Sequence, residues 1–469
     1  MQPENGTDMS TESRRPAAAP ETYLSGYFNE WSISELSVRL RSNQITSRHL
    51  TEQALGSIQR LNPSLNAFCS VDEAGSLDAA ERADGEIRSG VDLGLLHGIP
   101  IAIKDIIDVS GQRTTCGSAI YAERFARRDA ESVRRLKQAG AVIVGKTVMH
   151  EFAFGITGDR SLHGASRNPV DPMRMSGGSS GGSAVAVASG MVPLALGTDT
   201  AGSVRIPAAL CGIVGYKPAF DAISTAGVYP LAPSLDHVGL LARTAGDVWS
   251  AYGMMAKEPV TSLSAPLENL NIGWLDTSPL AYTHPKIEQK CRQKLSASSV
   301  TVSLAAFDFP EQLGEFFGDL ILSEAYNAHI GDLALQGGII DEDVRGRLQK
   351  GGEIPAWKYI RAVAFREEFR LNVMKLFGKH DLLALPTSPI IAPVLADGAS
   401  TPATVSATRI ALLALTSPWN LAGVPALSIP CGTVEGMPVG VQLICAPGSE
   451  KLLFKAAAKI EGMDLLMDA

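Results

Sequence analysis

The period of the apolar positions changes repeatedly along this chain, and each change marks an element. Ser32 to Asn43 carries apolar residues at helical spacing behind a serine suited to an N-cap. Thr46 opens a second helical stretch to about Leu61, with Pro63 as its stop, and Ala74 to Arg88 reads as a third that ends before Gly90. The pattern then turns to β. Ile99 to Ile107 is a β-branched apolar run broken by Lys104 and Asp105, as at the end of a buried strand. Asp129 to Gln138 is an amphipathic helix closed by Gly140, and Ala141 to Val144 follows as a strand. Gly182 to Ala188 is small and apolar, as a helix packed close on a sheet requires, and Val192 to Leu196 reads as the next strand. Alternation of this kind predicts an α/β layer architecture. From about residue 260 to 380 glycine thins out and charged helical stretches such as Pro355 to Phe377 appear, so this segment is expected to be a helical elaboration covering the site. The core pattern returns at Asp381 to Thr387, through Asn420 to Pro425, and at Gly436 to Ile444.

Composition narrows the function classes. The 469 residues are 45% apolar and 19% charged, which suits a soluble globular protein with a large core. A net charge of −8 disfavours a phosphate backbone as partner, and no apolar run is long enough for a membrane span. Residues 1–25 are polar and Pro/Ala-rich without a signal-peptide core, and are expected to be a disordered leader ahead of a single domain over 26–469. The six cysteines form no CxxC pair and no visible metal-ligand cluster with the histidines. They read as reduced thiols of a cytoplasmic protein, and no metal or other cofactor is implied.

Three short stretches carry the chemistry. Gly98-Ile99-Pro100-Ile101-Ala102-Ile103-Lys104-Asp105 places a lysine in an apolar setting, where burial lowers an amine's pKa and makes it a base; the competing reading is a lysine paired with Asp105 or Asp108. Ser176-Gly177-Gly178-Ser179-Ser180-Gly181-Gly182-Ser183 is a glycine-rich turn that lacks the Gly-Lys-Ser/Thr ending of a phosphate loop. Thr200-Ala201-Gly202-Ser203 offers successive backbone N–H groups beside a hydroxyl, the composition of an oxyanion hole, and the segment after it is expected to start a helix.

These stretches together resemble the amidase-signature family, from about Ile33 to the C-terminus and most strongly from Gly98 to Pro218. The resemblance implies an α/β/α fold, a twisted mixed sheet with helices on both faces. It also implies a Ser-cisSer-Lys site: Ser203 as nucleophile, Ser179 as relay after a cis Gly178–Ser179 bond, Lys104 as base, and the N–H groups of Thr200, Ala201, Gly202 and Ser203 for the oxyanion. Ser180, Asp199 and Arg205 are expected to fix this loop. Pocket candidates are Cys116, Phe152, Phe154, Ile156, Thr157, Leu413 and Trp419, mostly apolar, which favours an uncharged, partly hydrophobic or aromatic small-molecule amide with ester, carbamate or urea as side substrates. The enzyme is expected as a monomer or homodimer. Where the family usually has Met-Asp-Glu-Phe-Ala this chain reads Met149-His150-Glu151-Phe152-Ala153, after Val148 where Asn is frequent.

Two rivals share the motifs. The A subunit of a glutamyl-tRNA amidotransferase, acting on glutamine, usually carries an acid seven residues before the Asn of Asn-Leu-Ala-Gly; Leu413 stands there. Gly177-Gly178-Ser179-Ser180-Gly181 also fits the G-x-S-x-G elbow of a Ser-His-Asp esterase, with His237, His284, His329 or His380 as base. That elbow must follow a strand, and Asn168-Pro169-Val170-Asp171-Pro172 breaks one.

Overall fold

The computed structural model describes residues 25–257, 270–298, 300–395 and 402–462; the expected leader, apart from Ser25, lies outside them. The first helix, Ile33–Arg41, begins where expected. Ser32 accepts the Glu35 N–H while the Glu35 carboxylate takes the Ser32 N–H, a reciprocal capping box. The second runs Ser47–Leu65, beyond its expected stop. Pro63 sits in its last turn and removes one backbone bond there, yet the helix ends only when Asn66 turns left-handed and bonds back to Asn62 at 2.8 Å.

Among the described residues the chain forms eleven strands: β1 (Phe68–Val71), β2 (Pro100–Lys104), β3 (Val142–Thr147), β4 (Leu194–Thr198), β5 (Val214–Lys217), β6 (Val238–Ala242), β7 (Asn271–Leu275), β8 (Thr301–Ala305), β9 (Leu382–Pro386), β10 (Ala426–Val434) and β11 (Met437–Ile444). They form one mixed sheet in the order β1-β3-β2-β4-β6-β5-β10-β11-β9-β7-β8. The pairs β3–β2, β2–β4, β9–β7 and β7–β8 are parallel and the rest antiparallel. β2, β3 and β4 are buried at every position, as parallel strands covered on both sides must be. Helices flank the sheet: Gly181–Ala188 packs on β2, β4 and β6, and Arg205–Cys211 on β5, β10 and β11.

The segment expected to be a helical elaboration is not helical throughout. It also supplies β7 and β8, the parallel edge of the same sheet, and the helix Pro285–Ser296 packed on β9, β10 and β11. β8 escaped notice because its residues Thr301-Val302-Ser303-Leu304-Ala305 are largely accessible, leaving little apolar contrast to read. Its helix Leu313–Gln336 reaches across to the sheet's loops. There Glu324 accepts the Ser234 N–H at 2.9 Å, and Asp332 accepts the hydroxyls of Tyr121 at 2.6 Å and Tyr229 at 2.8 Å.

Candidate active site

Lys104 is the last residue of β2 and Thr198 the last of β4, its parallel neighbour, so both sit at carboxyl ends of adjacent strands, where α/β sheets form their crevices. The Lys104 side chain is fully buried. Its Nζ lies 2.7 Å from Ser179 Oγ and 2.6 Å from Thr198 Oγ1. Burial pulls the amine down to about 7, against the opposing pull of Asp199 and Asp236, so an uncharged amine is accessible at neutral pH. The competing pairing of Lys104 with Asp105 or Asp108 is absent: Asp105 meets Lys146 at 3.2 Å, and Asp108 meets Arg124 at 2.8 Å.

Ser179 follows a cis Gly178–Ser179 peptide bond, and its carbonyl accepts the His150 N–H at 3.2 Å. The next residue, Ser180, faces away from the chemistry. Its hydroxyl donates to Thr198 O at 3.1 Å, and its N–H reaches Ser203 O at 3.2 Å. These bonds lace the glycine-rich turn to the nucleophile loop. The structure therefore joins Lys104 to Ser179 through side chains and ties the Ser203 loop to them through the backbone; the hydroxyls of Ser179 and Ser203 share no hydrogen bond in this geometry.

The Ser203 loop is held from beneath by a buried ion pair. Arg205 meets Asp199 at 2.9 Å and 3.0 Å and also donates to Asn420 at 2.6 Å and Thr416 O at 3.0 Å. Burial pushes the Asp199 carboxyl up, but the Arg205 guanidinium outweighs it and holds the group well below the usual carboxylate range. The same carboxylate accepts the N–H groups of Gly202 at 2.7 Å and Val204 at 3.2 Å, one on each side of Ser203. This corrects one expectation. The Gly202 N–H is already committed to Asp199, so it is not a donor for an oxyanion. Gly202 has a structural duty instead: it sits at φ +130, and a Cβ there would run into Thr416 Oγ1. The helix after the loop, Arg205–Cys211, forms as expected.

Thr198, Asp236 and Thr416 were missed in the sequence. Asp236 accepts the Thr200 hydroxyl at 2.6 Å, and Thr416 Oγ1 donates to Ala201 O at 2.7 Å. Thr198 alone had a signal, its place beside the Asp199 motif; Asp236 and Thr416 come from distant parts of the chain.

The pocket candidates separate into two groups. Leu413 is half-buried and bridges two apolar clusters, one with Ala201 and Trp419 and one with Ile156. Trp419 is fully buried, with its indole N–H on Leu415 O at 3.0 Å. On the other side, Phe152 packs on His329 with ring centres 4.3 Å apart, and the Arg347 guanidinium covers Phe154 at 4.1 Å. Cys116 is fully buried with its N–H on Asp105 O, and Thr157 donates to Asp159 at 2.5 Å. The His150 ring is buried and without a hydrogen-bond partner on either nitrogen; Nδ1 lies 3.8 Å from Asp159, and burial holds the ring uncharged.

No histidine supports the elbow reading. His237 bonds Leu235 O at 2.6 Å and His329 bonds Asp332 at 3.1 Å, while Ser179 faces Lys104. Among the described residues one cluster of metal-ligand types does occur, contrary to the sequence reading: Cys69, Asp105 and His163 bring donor atoms within 4.8 Å of one another. The Lys146 ammonium and Thr115 already occupy the Asp105 carboxylate, which accounts for it without an ion. Among the described residues no helix is long and apolar enough to cross a membrane.

Comparison with known proteins agrees with this fold. Residues 49–454 match the family described as Amidase. The A subunit of the glutamyl-tRNA(Gln) amidotransferase of Chloroflexus aurantiacus is 36% identical, covering 90% of this chain and 94% of the relative. AtzE, from the 1-carboxybiuret hydrolase of a Pseudomonas species, is 35% identical over 90% and 96%. A crystal structure of an amidase superposes with a TM-score of 0.85 at 33% identity, covering 92% of this chain and 99% of that one.

Proposed function

Since this chain belongs to the amidase family of hydrolases that act on C–N bonds, we propose that it hydrolyses uncharged, partly hydrophobic or aromatic carboxylic amides through an acyl-enzyme on Ser203. The observation that carries the reading is the fully buried Lys104 amine 2.7 Å from Ser179 Oγ. An uncharged Lys104 can donate to Thr198 and still accept the Ser179 proton on its lone pair. Ser179 in turn takes the Ser203 proton as Ser203 attacks the carbonyl carbon, which requires the two hydroxyls to close into hydrogen-bond contact once substrate is bound. With the Gly202 N–H engaged, those of Thr200, Ala201 and Ser203 receive the oxyanion. The relay then returns a proton to the leaving amine, and a water deprotonated along the same path hydrolyses the ester. The scheme calls on no metal or organic cofactor: the lysine supplies the base and backbone dipoles supply the charge stabilisation. Esters, carbamates and ureas present a similar carbonyl and are the expected side substrates. The chain is proposed to act alone, as monomer or homodimer, in the cytoplasm.

The apolar surround of Leu413, which packs against the cluster that holds Ala201 of the nucleophile loop and the cluster that holds Ile156, supports the substrate class. The second reading, an amidotransferase component using glutamine, is favoured by the sequence similarity to such proteins. It requires a partner for a desolvated α-ammonium group, and Leu413 offers none. The test is kcat/KM of the purified single chain for glutamine against a neutral aromatic primary amide and an anilide. The aromatic amide is expected to be the better substrate by at least tenfold, about 1.4 kcal/mol of transition-state binding. Preference for glutamine by that margin would move the amidotransferase reading ahead.

A further inference from the structure

Two thiols far from Lys104 in the chain, and absent from the chemistry above, lie against each other. Cys291 and Cys431 are 140 positions apart, and their Sγ atoms are separated by 3.5 Å. Each has a structural reason to be there. The helix Pro285–Ser296 buries the stripe Ile287, Cys291, Leu295, one residue per turn, with Cys291 at its centre. On the facing strand the β10–β11 register slips between Pro430 and Gly432, so Cys431 is the extra residue of a bulge. A bulge re-aims its side chain. It is tolerated here because β5 pairs only with residues 426–428 of β10 and leaves this end of the strand free. The two sulfurs also approach neighbouring carbonyls of β11, Cys431 at Val439 O (3.3 Å) and Cys291 at Gly440 O (3.6 Å).

We propose that Cys291 and Cys431 form a dithiol site that hydrogen peroxide converts to a disulfide, fastening the β7–β8 edge unit to the β10–β11 hairpin. Cys431 retains 7% exposure and Cys291 none, so peroxide meets Cys431 first. The Cys431 sulfur attacks one peroxide oxygen, the O–O bond breaks, and a sulfenic acid and one water result. Cys291 sulfur then attacks the sulfenic sulfur, the S–S bond forms, and the hydroxide leaves with the Cys291 proton as a second water. Two electrons pass from the thiols to the peroxide. Burial pushes the Cys291 thiol up, so the second step is slow at neutral pH and faster in alkali. A thiol reductant reverses the bond.

The test uses the full chain, oxidised with hydrogen peroxide while folded, alkylated, digested without reduction and mapped by mass spectrometry. The expected result is one linked pair, Cys291 with Cys431, lost on reduction. A loop this long closed by a disulfide should also raise Tm by about 5 °C. Both signals should vanish in Cys291→Ala and in Cys431→Ala and persist in Cys445→Ala. Recovery of Cys291 and Cys431 as separate alkylated or sulfonic peptides overturns the site. So does linkage of either to Cys445. A linked pair without a rise in Tm overturns the bracing role. The mapping of the unsubstituted chain decides the matter even where a variant does not fold.

Discussion

Replacing Lys104 by alanine is expected to lower kcat by about 10³–10⁴-fold, at the upper end of what a positioned general base contributes. The cause is specific. Ser203 is a poor nucleophile without a base, and the amine that reaches Ser179 at 2.7 Å is Lys104. Circular dichroism of the variant should remain native, since Thr198 and Ser179 can bond water in the vacated space. The same claim has a pH signature. The amine is pulled down to about 7 by burial, and only its uncharged form accepts a proton. Activity of the unsubstituted enzyme should therefore fall as pH drops below about 7 and level off above it. A folded Lys104→Ala enzyme with near-normal turnover would remove lysine from the mechanism, as would a single histidine replacement that abolished activity while Lys104→Ala did not.

The second large effect is on stability. Asp199→Ala leaves the Arg205 guanidinium buried without its counter-charge and strips the acceptor from the Gly202 and Val204 N–H groups. Removing one partner of a buried pair costs about 3–5 kcal/mol, which for a chain of this size lowers Tm by roughly 3–5 °C. Replacing both partners, Asp199→Leu with Arg205→Met, should recover much of that loss, because no unpaired charge remains. It should not recover kcat, because nothing then fixes the backbone on either side of Ser203. Thermal melts and turnover of the two variants check this. A melt of Asp199→Ala within 2 °C of the native protein would show that the pair does not hold the loop.

How much of this was legible in the sequence follows from the range of each interaction. Ser32 could be read as an N-cap from its place before the apolar-periodic residues, and the Glu35 that completes the capping box lies only three residues on. The glycine-rich turn and the Ser203 loop are likewise local, and the turn's cis bond falls at the expected Gly178–Ser179. What was lost depends on residues brought together only by folding. Thr416 and Ala201 are 215 positions apart, and Asp236 and Thr200 are 36 apart. Neither contact leaves a trace in spacing. The commitment of the Gly202 N–H to Asp199 was invisible for another reason: composition shows that a donor exists, not where it points. Pro63 misled because the one backbone bond it removes does not end a helix whose apolar face stays buried on both sides of it, at Leu61 and Leu65. β8 was absorbed into a helical segment because this edge strand is largely accessible and lacks the continuous apolar run that marked β2 and β4; β7 lies inside the sheet and is buried, but its run Asn271-Ile272-Gly273-Trp274-Leu275 is short and broken by Gly273.

The account turns on which serine becomes acylated. A carbamate or fluorophosphonate probe should label the enzyme once, and the adduct should be located by peptide mapping. Trypsin does not suffice, because no Lys or Arg lies between Met175 and Val204 and both serines stay in one peptide. Cleavage before Asp199 separates them. The adduct is expected on the fragment beginning at Asp199, at Ser203, absent from Ser203→Ala and formed far more slowly by Lys104→Ala. An adduct on Ser179 alone would contradict the relay and restore the elbow reading.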